Sequence, residues 1–164
     1  MPVARAATPA IAALVAAGVP HTVMAYRHDS RVDAFGEEAV GQLAGAGIAA
    51  EQILKTLVIA LPTGLGVAVL PVPHQLSLKA AAAALGVAKA AMADPAAAQR
   101  SSGYVVGGIS PLGQRKALPT VVDASALQWD QVLCSAGKRG LDVALAPQDL
   151  IRLTKAVTAE ITAA

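Results

Sequence analysis

The spacing of apolar residues along the chain alternates between helical and strand-like patterns. Apolar positions recur every three or four residues at 9–17, 34–44, 76–85 and from Pro147 onwards, which predicts helices there. A short helix is expected from Asp94 to about Ser101, because Asp94-Pro95 supplies an N-cap and a first-turn proline. β-Branched runs predict a hairpin at 53–61 and 65–72, and further strands at 21–26, 104–106, 120–123, 131–135 and 141–145.

This order of elements predicts an α+β protein. Helices and strands mix without the strict alternation of βαβ units, so the sheet is expected to be mixed and largely antiparallel. The 164 residues suit one domain and are too few for two, which predicts a single domain over residues 1–164. The last helix is expected to be long, with one side formed by Leu150, Thr154, Val157 and Ile161.

Two interpretations of the N-terminus are open. Arg5 precedes an apolar stretch and no acidic residue occurs before Asp29, as in a targeting peptide. A folded helix is favoured, because Thr8-Pro9 is an N-cap followed by a first-turn proline and Gly18 is a natural stop. Its apolar face is predicted to consist of Ile11, Leu14 and Val15.

The composition excludes several classes of protein. Hydrophobic residues make up 55% and charged residues 15%, which excludes a disordered chain. The apolar run at 53–72 is interrupted by Lys55 and Pro62, and no stretch reaches the roughly 18 uninterrupted apolar residues of a membrane-spanning helix. The single cysteine, Cys134, excludes an internal disulfide and is expected to be an inert core thiol. These features fit a cytoplasmic protein.

The net charge of +2 is unevenly distributed. Residues 1–99 are neutral overall and residues 140–164 carry a net charge of −1. Residues 100–139 contain five basic and two acidic residues, a net charge of +3, in the glycine-rich part of the chain. This excess favours an anionic partner at that surface, and an ordinary solvated face is the alternative.

Three features are candidates for chemistry. Lys55 lies within an apolar strand, where its ammonium must either reach water at the strand edge or meet a ligand in a cleft. The glycine-rich segment 103–113 can bring backbone N–H groups close to a ligand, although an ordinary tight turn has the same composition. The segment 135–142 places Lys138 and Arg139 at a turn shortly before Asp142.

The sequence lacks the residue patterns of a metal site and of a serine nucleophile. The three histidines, His21, His28 and His74, show no metal-binding spacing, and no Gly-x-Ser-x-Gly nucleophile elbow occurs. An enzyme with this sequence is therefore expected to use water or the substrate itself as the nucleophile. Among the few aromatic residues, Tyr26 and Phe35 flank a polar stretch and are candidates for lining a pocket or stacking on a base.

Seven short segments carry a family resemblance. They are Tyr-Arg-His-Asp at 26–29, Phe-Gly-Glu-Glu at 35–38, Leu-Lys-Thr-Leu at 54–57, Met-Ala-Asp-Pro at 92–95, Gln-Arg-Ser-Ser-Gly-Tyr at 99–104, Gly-Gly-Ile-Ser-Pro-Leu-Gly-Gln at 107–114 and Gly-Lys-Arg-Gly-Leu-Asp at 137–142. In this order they resemble the YbaK/EbsC family, the free-standing Cys-tRNA(Pro) deacylases related to the editing domain of bacterial prolyl-tRNA synthetases. The resemblance covers about residues 8–160, and it rests on the series of segments rather than on any one of them.

The resemblance implies a barrel-like mixed sheet surrounded by helices, and hydrolysis of the ester that joins a wrong amino acid to the terminal adenosine of tRNA. It implies that the thiol of the bound cysteine attacks its own ester, with no metal and no cofactor, and that prolyl-tRNA synthetase is a partner. The catalytic residues that it implies are Lys55, Gly107, Gly108, Ile109 and Ser110. The implied substrate-binding residues are Tyr26, Phe35, Thr56, Pro111, Ser135 and Asp142.

The basic residues next to these segments are expected to bind the tRNA backbone. They are Arg115, Lys116, Lys138 and Arg139. Two positions depart from the family pattern. Ser77 replaces the usual aspartate, and both residues can cap a helix. Ala136 replaces a glycine, which matters if that position requires a positive φ.

Two other functions remain open at this point. One is removal of alanine from tRNA(Pro) by attack of water, within the same superfamily. The other is a non-catalytic module that binds tRNA or a synthetase. The presence of Lys55 and of the Gly-Gly-Ile-Ser-Pro segment at 107–111 argues against the inactive module.

Overall fold

The computed structural model describes residues 8–26 and 35–163, with side chains at 8–26 and 38–163. The helices are α1 (Pro9–Ala17), α2 (Phe35–Leu43), α3 (Leu78–Ala84), α4 (Pro95–Ser102) and α5 (Pro147–Thr154). The strands are β1 (His21–Ala25), β2 (Leu54–Leu61), β3 (Gly64–Pro71), β4 (Ala91–Met92), β5 (Thr120–Asp123), β6 (Val132–Lys138), β7 (Leu141–Leu145) and β8 (Val157–Ala159). The predicted α+β class is confirmed.

The strands form two sheets. An antiparallel sheet has the order β1-β7-β6, and a mixed sheet has the order β4-β2-β3-β5-β8, with β3, β5 and β8 parallel. A single parallel bridge joins the sheets, between Ile53, just before β2, and Leu133 in β6. Pairing between β2 and β6 extends no further in the described residues, so the two sheets lie side by side without closing into a barrel.

Small side chains set the packing of this core. Ala81 and Ala82 of α3 are buried, and Ala81 packs with Ile59, Leu70 and Ile161 on one face of the mixed sheet. A second cluster lies beneath α1 and combines residues of both sheets, among them the fully buried Cys134 of β6 and Val69 of β3. Because alanine adds little bulk and has the best helix propensity, an alanine-rich helix can approach a sheet closely with few aromatic residues in between.

The helix caps predicted from the sequence are confirmed. Thr8 Oγ1 accepts from Ile11 N at 3.2 Å, and Asp94 Oδ2 accepts from Ala97 N at 3.1 Å. Ser77 Oγ accepts from Ala80 N at 3.1 Å, so the serine caps α3 as an aspartate would. The apolar face of α1 needs one correction, because Ala10, Ile11 and Leu14 are buried whereas Val15 is 51% exposed.

Two predictions of secondary structure are wrong, and one short strand was missed. Residues 104–106 form turns instead of a strand, because Gly108 N donates back to Val105 O at 2.9 Å and Val106 N donates to the side chain of Gln99. The last helix ends at Thr154, and the following residues form β8 on the edge of β5. The two-residue strand β4, which pairs with Ile59 and Ala60, was not predicted.

The buried end of β5 explains why the last helix stops early. Asp123 is 4% exposed, and its Oδ1 accepts from Ile161 N at 2.9 Å while its Oδ2 accepts from Ser125 N at 3.2 Å. The chain after Lys155 is thus held against β5 by strand pairing and by this carboxylate. None of the helices in the two described segments is long and apolar enough to cross a membrane.

Candidate active site

A pocket of about 390 Å³ lies where the two sheets diverge beyond the bridge between Ile53 and Leu133. Because that bridge is parallel and side chains repeat every two residues, Lys55 and Ser135 follow it on corresponding faces of β2 and β6. Both residues line the pocket. The polar lining consists of Tyr26, Lys55, Thr56, Ser135 and Asp142, and the remaining walls are apolar side chains and the Gly107 backbone.

The structure brings together most of the site residues expected from the sequence, from four separate segments. Lys55 and Thr56 come from β2, and Ser135 and Asp142 face each other in the β6–β7 register. Tyr26 follows β1, and its N–H donates to Gly140 O at 2.9 Å. Gly107 and Ile109 belong to the glycine loop (residues 105–111), which forms another wall.

Other expected residues lie outside the lining. Gly108, Ser110 and Pro111 also belong to the glycine loop but are buried away from the pocket lining, and Ser110 Oγ accepts from Leu112 N at 3.1 Å. This contact gives Ser110 a structural role in shaping the loop. Phe35 begins α2, but its side chain lies outside the described residues, as does His28. The four basic residues proposed for tRNA are exposed and lie outside the pocket: Arg115, Lys116, Lys138 and Arg139.

The lysine side chain lies in the pocket rather than at a free strand edge. Lys55 is opposite Leu70 within the paired β2–β3 hairpin and is partly buried, next to the buried Leu54. Of the two interpretations left open by the sequence, the structure favours the lysine held in a cleft. A cation at such a position can bind a phosphate or polarise a carbonyl.

The Thr56 hydroxyl is a second polar group of the wall. Its Oγ1 is buried and has no hydrogen-bond partner among the residues that the structure describes. Leaving a buried hydroxyl unsatisfied costs about 1–3 kcal/mol. Because Thr56 lines the pocket, this unsatisfied hydroxyl is a local cost of building the pocket wall.

Burial changes the acid–base properties of the pocket wall. Asp142 is 4% exposed, and this desolvation raises the pKa of its carboxyl group to about 7. Burial also raises the pKa of the Tyr26 phenol to about 12, and the charge of the nearby Asp142 adds to this effect. The phenol therefore stays protonated at neutral pH, and Asp142 is divided between its neutral and charged forms.

The glycine loop is held in place by three side chains. Gln99 Oε1 of α4 accepts from Val106 N at 2.9 Å, and Ser135 Oγ donates to Gly108 O at 3.1 Å. Arg139 donates to Val106 O through Nε at 2.9 Å and through Nη2 at 2.6 Å. A Cβ on Gly108 would lie 3.0 Å from the backbone nitrogen of Arg139, so glycine permits this close approach.

Gln99 and the contact of Arg139 with the loop were not found by sequence reasoning. Gln99 occurs within a segment of the family resemblance, but nothing in its spacing links it to Val106. Gly107 has φ +90°, a left-handed conformation that favours glycine.

The substitution at position 136 does not disturb the site. Ala136 is fully buried without a positive φ, and the neighbouring Gly137 has φ +102° instead. The register shift between Ser135 and Lys138 is a bulge, and Ser135 Oγ accepts from Gly137 N at 3.1 Å within it. The bulge therefore positions Ser135 without requiring a glycine at 136.

Metal and thiol chemistry find no support in the described part of the chain. No group of three or more His, Cys, Asp or Glu side chains is placed there to hold a metal ion. Burial raises the pKa of the Cys134 thiol, which is fully buried in the core. The prediction of an inert core thiol agrees with this placement. The Nε2 atom of His74 instead lies within hydrogen-bond distance, 2.8 Å, of Glu51 Oε2.

Comparisons with known proteins agree with these features. Residues 37–153 match the model of the aminoacyl-tRNA editing domain. Over 117 residues, 71% of each chain, the protein is 41% identical to EbsC of Enterococcus faecalis, which is named for deacylation of Cys-tRNA(Pro) and Cys-tRNA(Cys).

Two solved structures share the fold. One, described as a trans-editing enzyme for prolyl-tRNA synthetase, has a TM-score of 0.83 at 24% identity and covers 100% of this chain and 99% of its own. Hypothetical protein APE2540 has a TM-score of 0.78 at 23% identity, covering 92% and 96%.

Asp142→Asn is expected to stabilise the fold at alkaline pH. Between the ordinary aspartate pKa of about 4 and pH 7, the folded state keeps a proton that the unfolded state has lost, so the free energy of unfolding falls as pH rises. Asparagine does not ionise, so the Asp142→Asn variant avoids this loss of stability. Its free energy of unfolding at pH 8 is expected to exceed that of the wild type by on the order of 1–4 kcal/mol. Urea unfolding at pH 4 and pH 8 measures it.

The exposed Asp130→Asn serves as the matched control for this prediction, and it is expected to change stability by less than about 0.5 kcal/mol. An Asp142→Asn variant that is no more stable than the wild type at pH 8 would show that burial does not raise the pKa of the Asp142 carboxyl group.

Proposed function

Because this chain belongs to the aminoacyl-tRNA editing domain family, we propose that it is a free-standing editing enzyme that hydrolyses the ester of Cys-tRNA(Pro). The observation that carries the proposal is the composition of the pocket. It combines a lysine, a backbone N–H at Gly107 and a carboxyl group, and in the described residues it holds no cysteine or histidine that would make a protein nucleophile. The name of EbsC extends the proposal to Cys-tRNA(Cys) as a second substrate.

The proposed reaction uses the thiol of the bound cysteine. Its sulfur forms a bond with the ester carbonyl carbon, and the bond to the ribose oxygen breaks, so that oxygen takes up the proton lost by the thiol. The product is a cyclic thioester of cysteine, which water then opens to the free amino acid. Holding the sulfur against the carbonyl gives such a cyclisation a high effective molarity, so no activated water is needed.

Four polar side chains of the pocket and one backbone N–H have roles in this proposal. Lys55 orients the ester or the terminal phosphate, and the Gly107 N–H, which has no acceptor among the described residues, donates to the developing oxyanion. Asp142 in its charged form pairs with the α-ammonium group, and Tyr26 and Thr56 bound the side-chain space. Ser110 and Pro111 shape the loop, and Phe35 is proposed as a further wall.

The exposed basic residues are proposed to contact tRNA phosphates. Arg115 N donates to Ser102 O at 2.9 Å and Lys116 N donates to Ser101 O at 3.1 Å, which fixes both residues beside the end of α4. Pro95 and Ala98 of that helix line the pocket. Lys138 and Arg139 line a groove that also contains Gly103, next to Arg115, so the four basic residues are proposed to contact the tRNA as its acceptor end approaches the pocket.

Recruitment by a synthetase is part of the proposal. A net charge of +2 gives this protein little long-range attraction for RNA. Prolyl-tRNA synthetase, which produces the mischarged tRNA, is therefore proposed to present it, and the proposed place of action is the cytoplasm.

Lys55→Ala is expected to lower kcat for deacylation by at least about 100-fold while the fold is kept, because the cation in the pocket is lost. Deacylation of Cys-tRNA(Pro) measures the rate, and circular dichroism with a melting curve checks the fold. Lys79→Ala, which removes an exposed lysine on α3, is the matched control and should keep the wild-type rate. A folded Lys55→Ala variant with wild-type kcat would contradict the catalytic role and show that Lys55 is only a surface side chain that extends to solvent.

Cysteinyl-tRNA(Pro) is expected to be cleaved about 100-fold or more faster than seryl-tRNA(Pro), because only the thiol is a good internal nucleophile. Parallel single-turnover assays with seryl-, alanyl- and cysteinyl-tRNA(Pro) measure the ratios. Cys134→Ala should retain the preference, since that thiol is buried in the core. Equal rates on the seryl and cysteinyl substrates, or faster cleavage of the alanyl substrate, would show that water is the nucleophile. Either result would favour an Ala-tRNA(Pro) deacylase.

Binding of tRNA is expected to weaken with salt, and Lys116→Ala combined with Lys138→Ala should make that dependence shallower. Each lost phosphate contact reduces the slope of log K against log salt by about 0.7 for single-stranded and 0.9 for duplex RNA. Affinity measured over a salt series tests this, with Lys79→Ala combined with Arg152→Ala as the control pair of exposed cations. An unchanged slope in the Lys116→Ala, Lys138→Ala double variant would show that these lysines do not contact tRNA phosphates and are ordinary solvated residues.

A further inference from the structure

We propose that Arg139 is a positioning residue for the reaction, which holds the Val106–Gly107 peptide so that the Gly107 N–H points into the pocket. The proposal rests on the proposed function, because it assigns a purpose to that N–H. It differs from the expectation that Arg139 serves only as a phosphate contact. The evidence is the double contact of its guanidinium group with one backbone carbonyl.

Two nitrogens of the Arg139 guanidinium group donate to the same carbonyl oxygen, that of Val106. Arg139 Nε and Nη2 lie 2.9 and 2.6 Å from Val106 O, on the peptide group that also contains the Gly107 nitrogen. In a trans peptide the C=O and N–H bonds point in opposite directions. Holding the carbonyl towards Arg139 therefore directs the Gly107 N–H away from Arg139.

The two sides of this peptide face two different spaces. Val106 and Gly107 line the pocket that contains Lys55, whereas Arg139 is absent from that lining. Arg139 instead lines a separate groove together with Tyr104 and Lys138. The guanidinium group thus acts from behind the loop, and the N–H that it orients is presented towards the substrate.

The loop needs such a contact because glycine can rotate freely. Gly107 has φ +90°, and no strand in the described part of the chain pairs with the loop to fix this peptide. Gln99 fixes the N–H of Val106, and Gly108 N donates to Val105 O at 2.9 Å, so the peptide groups on either side of the Val106–Gly107 peptide are restrained. Arg139 completes the set by fixing the peptide between them.

The charge of Arg139 adds an electrostatic effect. A hydrogen bond from a guanidinium group is stronger than one from a neutral donor, and it polarises the peptide that accepts it. The polarised peptide is a better donor at its own N–H, which is where negative charge would develop during attack on the ester. A lysine at position 139 would keep the charge without the planar fork.

The test separates positioning from phosphate binding with a substrate that has no phosphate. Wild type, Arg139→Ala and Arg139→Lys are assayed on Cys-tRNA(Pro) and on the cysteinyl ester of adenosine. We expect Arg139→Ala to lower kcat by about 10- to 100-fold on both substrates with little change in KM on the adenosine ester, and Arg139→Lys to give an intermediate kcat. Adding guanidinium ion at a non-denaturing concentration should restore part of the kcat of Arg139→Ala and none of that of Lys55→Ala.

The control is Arg152→Ala, which removes an exposed arginine bonded to Asp149 on α5. It should retain wild-type kcat on both substrates. Circular dichroism and melting curves confirm that all variants fold. If Arg139→Ala keeps wild-type kcat on the adenosine ester and loses only tRNA affinity, Arg139 is a phosphate ligand and the proposal is overturned.

A second measurement is independent of activity. Amide hydrogen exchange at residues 105–109 should be faster in Arg139→Ala than in the wild type and in Arg152→Ala, because the peptide is released. Unchanged exchange there would overturn the positioning role. If the wild type itself cleaves neither cysteinyl substrate, the proposed function fails, whereas the exchange result still decides whether Arg139 holds the loop.

Discussion

The junction of the two sheets at Ile53 and Leu133 is the constraint on which the site depends. Both side chains are almost completely buried, and they fix β2 against β6 at one point and in one register. Pairing stops there, so the strands diverge and leave room for a pocket between them. Because the bridge is parallel, Lys55 and Ser135 are brought to the two sides of that opening.

The pocket contains groups whose burial is unfavourable for the fold. Asp142 is desolvated enough to raise its pKa to about 7, and the Thr56 hydroxyl is buried without a partner in the described structure. Polar groups of this kind lower the stability of the folded protein unless a ligand satisfies them. Their concentration in one cavity, with alanine and aliphatic residues packed around it, is typical of a site that gains stability when its ligand binds.

The glycine loop shows how an irregular segment can be made precise. It pairs with none of the described strands, yet side chains from α4, β6 and the β6–β7 turn hold three peptide groups of the loop. The bulge between Ser135 and Lys138 lies next to two of these side chains, since Ser135 begins it and Arg139 directly follows Lys138 at its end. The same bulge separates the pocket from the groove lined by Lys138 and Arg139.

Local signals in the sequence determined the helix starts, the central hairpin and the presence of the pocket residues. Thr8, Ser77 and Asp94 cap helices through bonds to residues three positions later, so neighbouring residues suffice to predict them. The motif segments likewise indicated Lys55, Tyr26, Thr56 and Asp142 as candidates.

Only the tertiary structure decided the features that depend on distant partners. The apolar spacing of Val157 and Ile161 fits a helix, but β5 offers an open edge and Asp123 binds Ile161 N across 38 positions of the chain. Val106 has a strand-like neighbourhood in sequence, yet Gln99 and Arg139 take its two backbone groups. Side-chain hydrogen bonds of this kind compete with regular structure, and their partners cannot be read from local periodicity.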